Sequence, residues 1–106
     1  MNINLIGPDL KEEDKRAIYK ILENDLKKVI RMVEIEEIDV HVKVYNKQGG
    51  KRKFSAHLRA SISEKVFESD DSDWDLNKVL HSAINKLKNE LEKKLHSSDK
   101  GNRRRN

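Results

Sequence analysis

The sequence contains no cysteine, and no apolar run approaches the roughly 20 residues that a membrane-spanning helix needs. Without cysteine there is neither a disulfide framework nor a thiolate zinc site, which fits a reducing compartment. The first residues alternate polar and apolar instead of forming the apolar stretch of a secretion signal, so a cytoplasmic protein is expected, with no membrane partner. Catalytic signatures are missing too. There is no Gly-x-Ser-x-Gly, no Walker-type loop and no dinucleotide fingerprint. His41, His57, His81 and His96 show no His-x-x-x-His spacing. The acidic group Asp70, Asp71, Asp73 and Asp75 does not fit a calcium loop, because the positions that need Gly and Glu hold Leu76 and Ser82, or Lys78 and Ile84. These carboxylates are expected to cap a helix and favour its dipole. No catalytic residue, metal site, cofactor or small-molecule substrate is therefore expected.

The 106 residues are enough for one domain. They are 40% charged and 35% hydrophobic, which is polar, but the apolar positions are periodic, as a folded chain requires. The net charge of +4 is unevenly spread. Residues 64–75 carry one basic and six acidic side chains, whereas residues 76–106 carry nine basic and three acidic ones. A basic last third beside one acidic segment points to an anionic partner on a defined surface, or to solubility alone.

Asn2-Ile3-Asn4-Leu5-Ile6 alternates and meets Gly7-Pro8, so it predicts a short strand and a turn. Asp9, with Glu12 three residues on, predicts the start of a helix. Ile18, Ile21, Leu22, Leu26, Val29 and Val33 recur at helical spacing, so the helix is expected from about Leu10 to Met32. Asp25 falls within that apolar face and calls for an edge position or a partner from elsewhere. From Ile38 the period becomes two, through Val40, Val42 and Val44, and it resumes in Phe54, Ala56, Leu58, Ala60 and Ile62. With Gly49-Gly50 between them, these runs predict a long antiparallel hairpin in which His41 and His57 are cross-strand neighbours. Glu64–Glu68 predicts a short edge strand and Ser69–Asp73 a loop. Asp73 or Asp75 then caps a second helix with Leu76, Val79, Leu80, Ala83, Ile84, Leu87, Leu91 and Leu95 on one stripe. Trp74 is expected to pack as a hydrophobic staple at its start. The predicted fold is α+β, in the order β-α-β-β-β-α, with a four-stranded sheet and both helices packed on one face.

Opposite the apolar stripes lie the candidate binding residues. Arg16, Lys20, Lys27 and Arg31 share a narrow arc of the first helix, and Lys78, Lys86 and Lys93 share one on the second. Two cationic rows on neighbouring helices match the phosphates of RNA, whereas a solvated face held by i,i+4 ion pairs is the alternative. The hairpin turn adds Lys47, Lys51, Arg52 and Lys53 beside two glycines that let a phosphate approach the backbone. The solvent side of the hairpin is expected to show His41, Lys43, Tyr45, Ser55, His57 and Arg59. Tyr45 is the lone aromatic there, which gives little support for a base-stacking platform. Arg103-Arg104-Arg105 adds nonspecific phosphate affinity, or is a processed or added remnant.

Asp75-Leu76 followed by Leu80, Ile84, Lys86-Leu87, Leu91 and Lys93, together with Asn4-Leu5-Ile6-Gly7 and the order of elements, resembles the ribosome hibernation factors, the family of hibernation-promoting factor and ribosome-associated inhibitor A. The likeness covers about residues 1–95. It implies a short-form member that lodges on the small ribosomal subunit between head and body, contacts ribosomal RNA, and inhibits translation by occupying the tRNA and mRNA sites. Matching positions carry over Lys86 and Lys93 only. Asn77, His81 and Asn89 depart from the family's usual aromatic, acidic and arginine residues there. Residues 1–96 are then a ribosome-binding domain, 97–106 a basic disordered tail, and the protein a monomer off the ribosome. Two other readings stay open. One is a general double-stranded-RNA-binding domain, against which the extra strand Asn2–Ile6 argues. The other is a protein-interaction adaptor using the acidic segment or the exposed sheet.

Overall fold

The computed structural model describes residues 2–31, 33–46 and 48–103, with side chains for all of these except 46, 48 and 95–103. The order is β1 (Asn2–Ile6), α1 (Glu12–Ile30), β2 (Glu37–Asn46), a 3-10 turn (Gln48–Gly50), β3 (Arg52–Ile62), β4 (Lys65–Asp73) and α2 (Leu76–Arg103). The four strands lie in sequence order in one sheet, β1 parallel to β2 and the other two pairs antiparallel. Ile38, Val40 and Val42 of β2 and Phe54, Ala56, Leu58, Ala60 and Ile62 of β3 turn to one face. There they pack with Ile18, Leu22, Leu26 and Val29 of α1 and Val79, Leu80, Ala83, Leu87 and Leu91 of α2. The α+β prediction holds, and so does the register: His41 stands opposite His57. Alternation in two adjacent strands pins register, because a one-residue slip would turn the whole apolar set to water.

Helix α1 begins two residues later than its sequence signal. The N-cap is Lys11, not Asp9, and its backbone N–H donates to the Asp14 carboxylate at 3.0 Å. Leu10 instead closes a turn, its N–H bonding to the Gly7 carbonyl at 3.1 Å, and its side chain enters the core. Acidic Glu12, Glu13 and Asp14 in the first turn and Lys27 and Lys28 in the last complement the helix dipole.

Gly7 permits this close entry. A Cβ there would stand 2.8 Å from Leu10 Cγ and 3.1 Å from the Val42 carbonyl oxygen, so both a core side chain and a strand would have to shift. Gly7→Ala is expected to cost about 1–3 kcal/mol. The urea midpoint should fall while the denaturant slope stays unchanged.

The largest departure from expectation is β4. The predicted loop Ser69–Asp73 is strand, pairing with β3 as far as Phe54 opposite Asp73. Serine and aspartate disfavour strands, and the inward positions after Phe67 are polar, so no apolar alternation marks them. Contacts to α2 replace the apolar packing. The Ser69 hydroxyl donates to the Ala83 carbonyl at 2.7 Å, and Asp71 lies 3.6 Å from Lys86. Outward Glu68 and Asp70 put charge on an edge strand, which discourages edge-to-edge pairing. A two-residue turn joins β3 to β4, with Ser63 and Glu64 both at positive φ, 46° and 66°.

Asp75 caps α2 as expected, accepting from the N–H groups of Asn77 at 2.9 Å and Lys78 at 3.3 Å. Trp74 does not act as a staple: its side chain is 52% exposed. Helix α2 runs on to Arg103, past the apolar stripe and into the segment expected as a tail. Lys47, Arg104 and Arg105, and the side chains of Leu95, His96 and Arg103, lie outside the described residues.

Candidate nucleic-acid interface

The expected cations of the helices are all at the surface. Arg16, Lys20 and Lys27 are exposed on α1 and Arg31 at its C-cap, and Lys78, Lys86 and Lys93 are exposed on α2. Packing decides which of them face one another. Lys78 joins Lys28 and Lys88 around the groove between the helices, a depression of about 810 Å³ that Asp71 and Asp73 of β4 also line, so its charge is mixed. Asp25 lines it too, and its carboxylate is hydrogen-bonded to His81 Nδ1 of α2. That bond supplies the partner Asp25 requires and ties the helices together at the groove. Lys28 and Lys88 were missed by sequence reasoning because each sits at the border of its own helix's apolar stripe. A wheel drawn for one helix does not say on which border the other helix lies.

Lys86 and Lys93 turn the other way. They border a second depression of about 460 Å³ with Glu68, Ser69 and Asp70 of β4 and Asn89 and Glu90 of α2. Lys86 Nζ is 3.2 Å from the Asp70 carbonyl oxygen. The Ser82 hydroxyl and the Ser72 N–H donate to Asp71, which, with Lys86 beside it, holds that carboxyl below its ordinary value against the opposing effect of burial. Asp71 thus stays anionic, and part of the Lys86 charge is already matched within the protein. The α2 row leans toward the acidic strand instead of running beside the α1 row.

At the hairpin end, Lys51 is exposed and Gly49 and Gly50 adopt φ of 80° and 78°, the left-handed region that glycine enters without strain. Arg52 is placed differently. Its guanidinium donates to Asp14 at 2.6 Å and lies 4.9 Å from the centre of the Phe54 ring, clamping β3 to the start of α1. Burial pushes the Asp14 carboxyl up. The Arg52 hydrogen bond, the Lys11 N–H and the two nearby positive charges outweigh it and hold the carboxyl below its usual value. Lys53 Nζ lies 5.8 Å from the centre of the Trp74 ring.

The sheet face away from the helices carries His41, Lys43, Tyr45, Ser55, His57 and Arg59 around a shallow depression of about 490 Å³, as expected. It is not uniformly basic. His57 Nε2 is 2.7 Å from Glu68 Oε1, and Asp39 and Asp70 share the depression. Among the described residues no group of three or more His, Asp or Glu side chains is placed to hold a metal ion. Among the described residues no helix is long and apolar enough to cross a membrane.

Compared with solved structures, the chain superposes on a ribosomal subunit interface protein from Coxiella burnetii with a TM-score of 0.69 at 18% identity, over 88% of this chain and 96% of that one. The N-terminal domain of Protein Y from Thermus thermophilus matches with a TM-score of 0.70 at 24% identity, over 88% of this chain and 98% of that one. The chain has their fold. No family model and no curated protein matches the sequence itself. Such a pairing of a shared backbone with divergent residues is what different side chains filling one layered core produce.

Proposed function

We propose that this protein is a ribosome-associated translation inhibitor of the hibernation-factor family, acting in the cytoplasm as a monomer until it binds the small subunit. Residues 1–96 are the binding domain, and the basic residues of 97–106 add nonspecific attraction. The domain sits where tRNA and mRNA bind, held by phosphates of small-subunit RNA, and it inhibits by exclusion, without catalysis. The observation that carries this reading is the row of surface cations on the helical layer, with Lys28, Lys78 and Lys88 rising beside the carboxylates of Asp25, Asp71 and Asp73 at the interhelical groove, on a backbone that superposes over 88% of this chain on a ribosomal subunit interface protein. Lys20, Lys27 and Arg31 extend the positive surface on the α1 side, and Lys93 adds a cation on the side of α2 that faces β4. Arg52 belongs to the fold's own ion pair.

The purified protein is expected to cosediment with small subunits at low salt, to lower translation in an extract, and to be displaced by excess tRNA and mRNA. If it makes six or more phosphate contacts, affinity should drop about a thousandfold between 50 and 200 mM salt. Absence of both cosedimentation and inhibition would sink the proposal. Equal affinity for free duplex RNA would point instead to a general duplex binder.

A further inference from the structure

Two exposed aromatic residues that are far apart in sequence meet one lysine at the hairpin end of the open sheet face. Tyr45 of β2 is directly opposite Lys53 of β3. Trp74 follows the last residue of β4, and its ring lies beside the Lys53 ammonium at 5.8 Å. Tyr45 is 44% and Trp74 52% exposed, large apolar surfaces that a folded chain usually covers. Lys51 and Arg52 line a depression of about 540 Å³ with Trp74. Adjacent strands are about 4.8 Å apart, so the backbone positions that carry the two aromatic residues lie on either side of β3, about 10 Å apart.

We infer that Tyr45, Lys53 and Trp74 form a stacking site for single-stranded RNA. The rings offer π faces to unpaired bases, and Lys51 and Lys53 meet the phosphates between them. A duplex cannot use such a site, because its bases are already stacked on one another. The site is remote from Glu68 and Asp70, which lie further along the sheet beside His57. Asp73 is nearer, and its carboxylate accepts the Asp75 N–H at 3.1 Å. The inference deepens the proposed function, on whose RNA-binding reading it rests, by assigning the open sheet face to an unpaired strand while the helical layer takes the folded RNA.

Trp74 is the only tryptophan in the sequence, so its fluorescence reports the site directly. Titration of the full chain with an oligouridylate should quench that emission, whereas a duplex RNA of equal charge should not. With a labelled oligouridylate read by anisotropy, Trp74→Ala is expected to weaken binding about 10-fold, in the range of one base–aromatic stack, and Trp74→Phe to restore most of it. Tyr45→Ala should act in the same direction. Absence of quenching, or unchanged affinity in Trp74→Ala, would overturn the site. So would a partner that survives ribonuclease and is lost with Trp74→Ala, which would make the surface a protein dock. Subunit binding without Trp74-dependent oligouridylate binding would overturn the stacking site alone. Trp74-dependent oligouridylate binding without subunit binding would support the site and sink the ribosomal reading.

Discussion

Reversing the three groove lysines together, Lys28→Glu, Lys78→Glu and Lys88→Glu, is expected to reduce affinity for small subunits by at least about 100-fold at 100 mM salt. Each lysine that meets a phosphate releases a counterion when it binds, and each reversal replaces that gain with repulsion. Three lost contacts should also flatten the plot of log affinity against log salt by about 3, a signature that simple unfolding does not produce. Lys28 also complements the α1 dipole, and Asp25, Asp71 and Asp73 line the same groove, so the melting temperature should fall somewhat, and binding is to be compared at a temperature where both proteins are folded. Lys86→Glu makes an informative contrast. Its ammonium is 3.6 Å from Asp71, so reversal there should disturb the α2–β4 contact as well as any RNA contact. If reversing Arg16, Lys20, Lys27 and Arg31 abolishes binding while the groove variant binds normally, the docking face is the outer side of α1 and the groove assignment is wrong.

The second large effect is on stability. Arg52→Ala is expected to cost about 2–3 kcal/mol, because it strands the Asp14 carboxylate, whose side chain is only 12% exposed. The Arg52 side chain is 25% exposed, so solvent weakens the pair and keeps the loss below that of a fully buried one. Asp14→Asn should cost less, because an amide oxygen can still accept the Lys11 N–H that starts the helix. The pH dependence follows from the lowered Asp14 value. A carboxyl held lower in the folded chain than in the unfolded one adds stability at any pH above its unfolded value near 3.8, and that stability fades as the pH falls through the folded value. Urea midpoints of the wild type and Asp14→Asn should therefore differ at pH 7, differ almost as much at pH 5, and converge once the pH drops below the ordinary carboxylate range. An equal gap at all pH values would show that the charge of Asp14 contributes nothing.

Which parts of the structure were legible in sequence depends on how local their causes are. The apolar stripes of α1 and α2 and the alternation of β2 and β3 announced their elements, and with them the four-stranded order and the His41–His57 pairing. Asp75 could be read as a cap because capping acts over two or three residues. The start of α1 could not. Asp9 with Glu12 supplied the local signal, whereas the observed start at Lys11 rests on Asp14, which is bonded by Arg52, 38 positions away. Strand β4 hid for the same reason. Ser69 and Asp71 are satisfied by Ala83, Ser82 and Lys86 of α2, and no window around them contains those partners. On the binding surface, the arcs gave the solvent sides of the helices, but Lys28 and Lys88 became groove residues only once the two helices were placed side by side. The position of Trp74 before a helix suggested a hydrophobic staple, whereas the lysine beside it comes from another strand.

The placement of β1 has a kinetic consequence. Strands β2, β3 and β4 are consecutive in sequence and adjacent in the sheet, and α2 follows directly, so most of the fold can grow by short closures. Strand β1 is the exception. It pairs only with β2, in parallel, with Asn2 opposite Glu37, and the whole of α1 intervenes. That closure returns few contacts for a long loop, so the hairpins and α2 should assemble early and β1 dock late. By the same accounting β1 is the first strand to detach from the native sheet, and its departure uncovers the free edge of β2 while β3, β4 and α2 stay together.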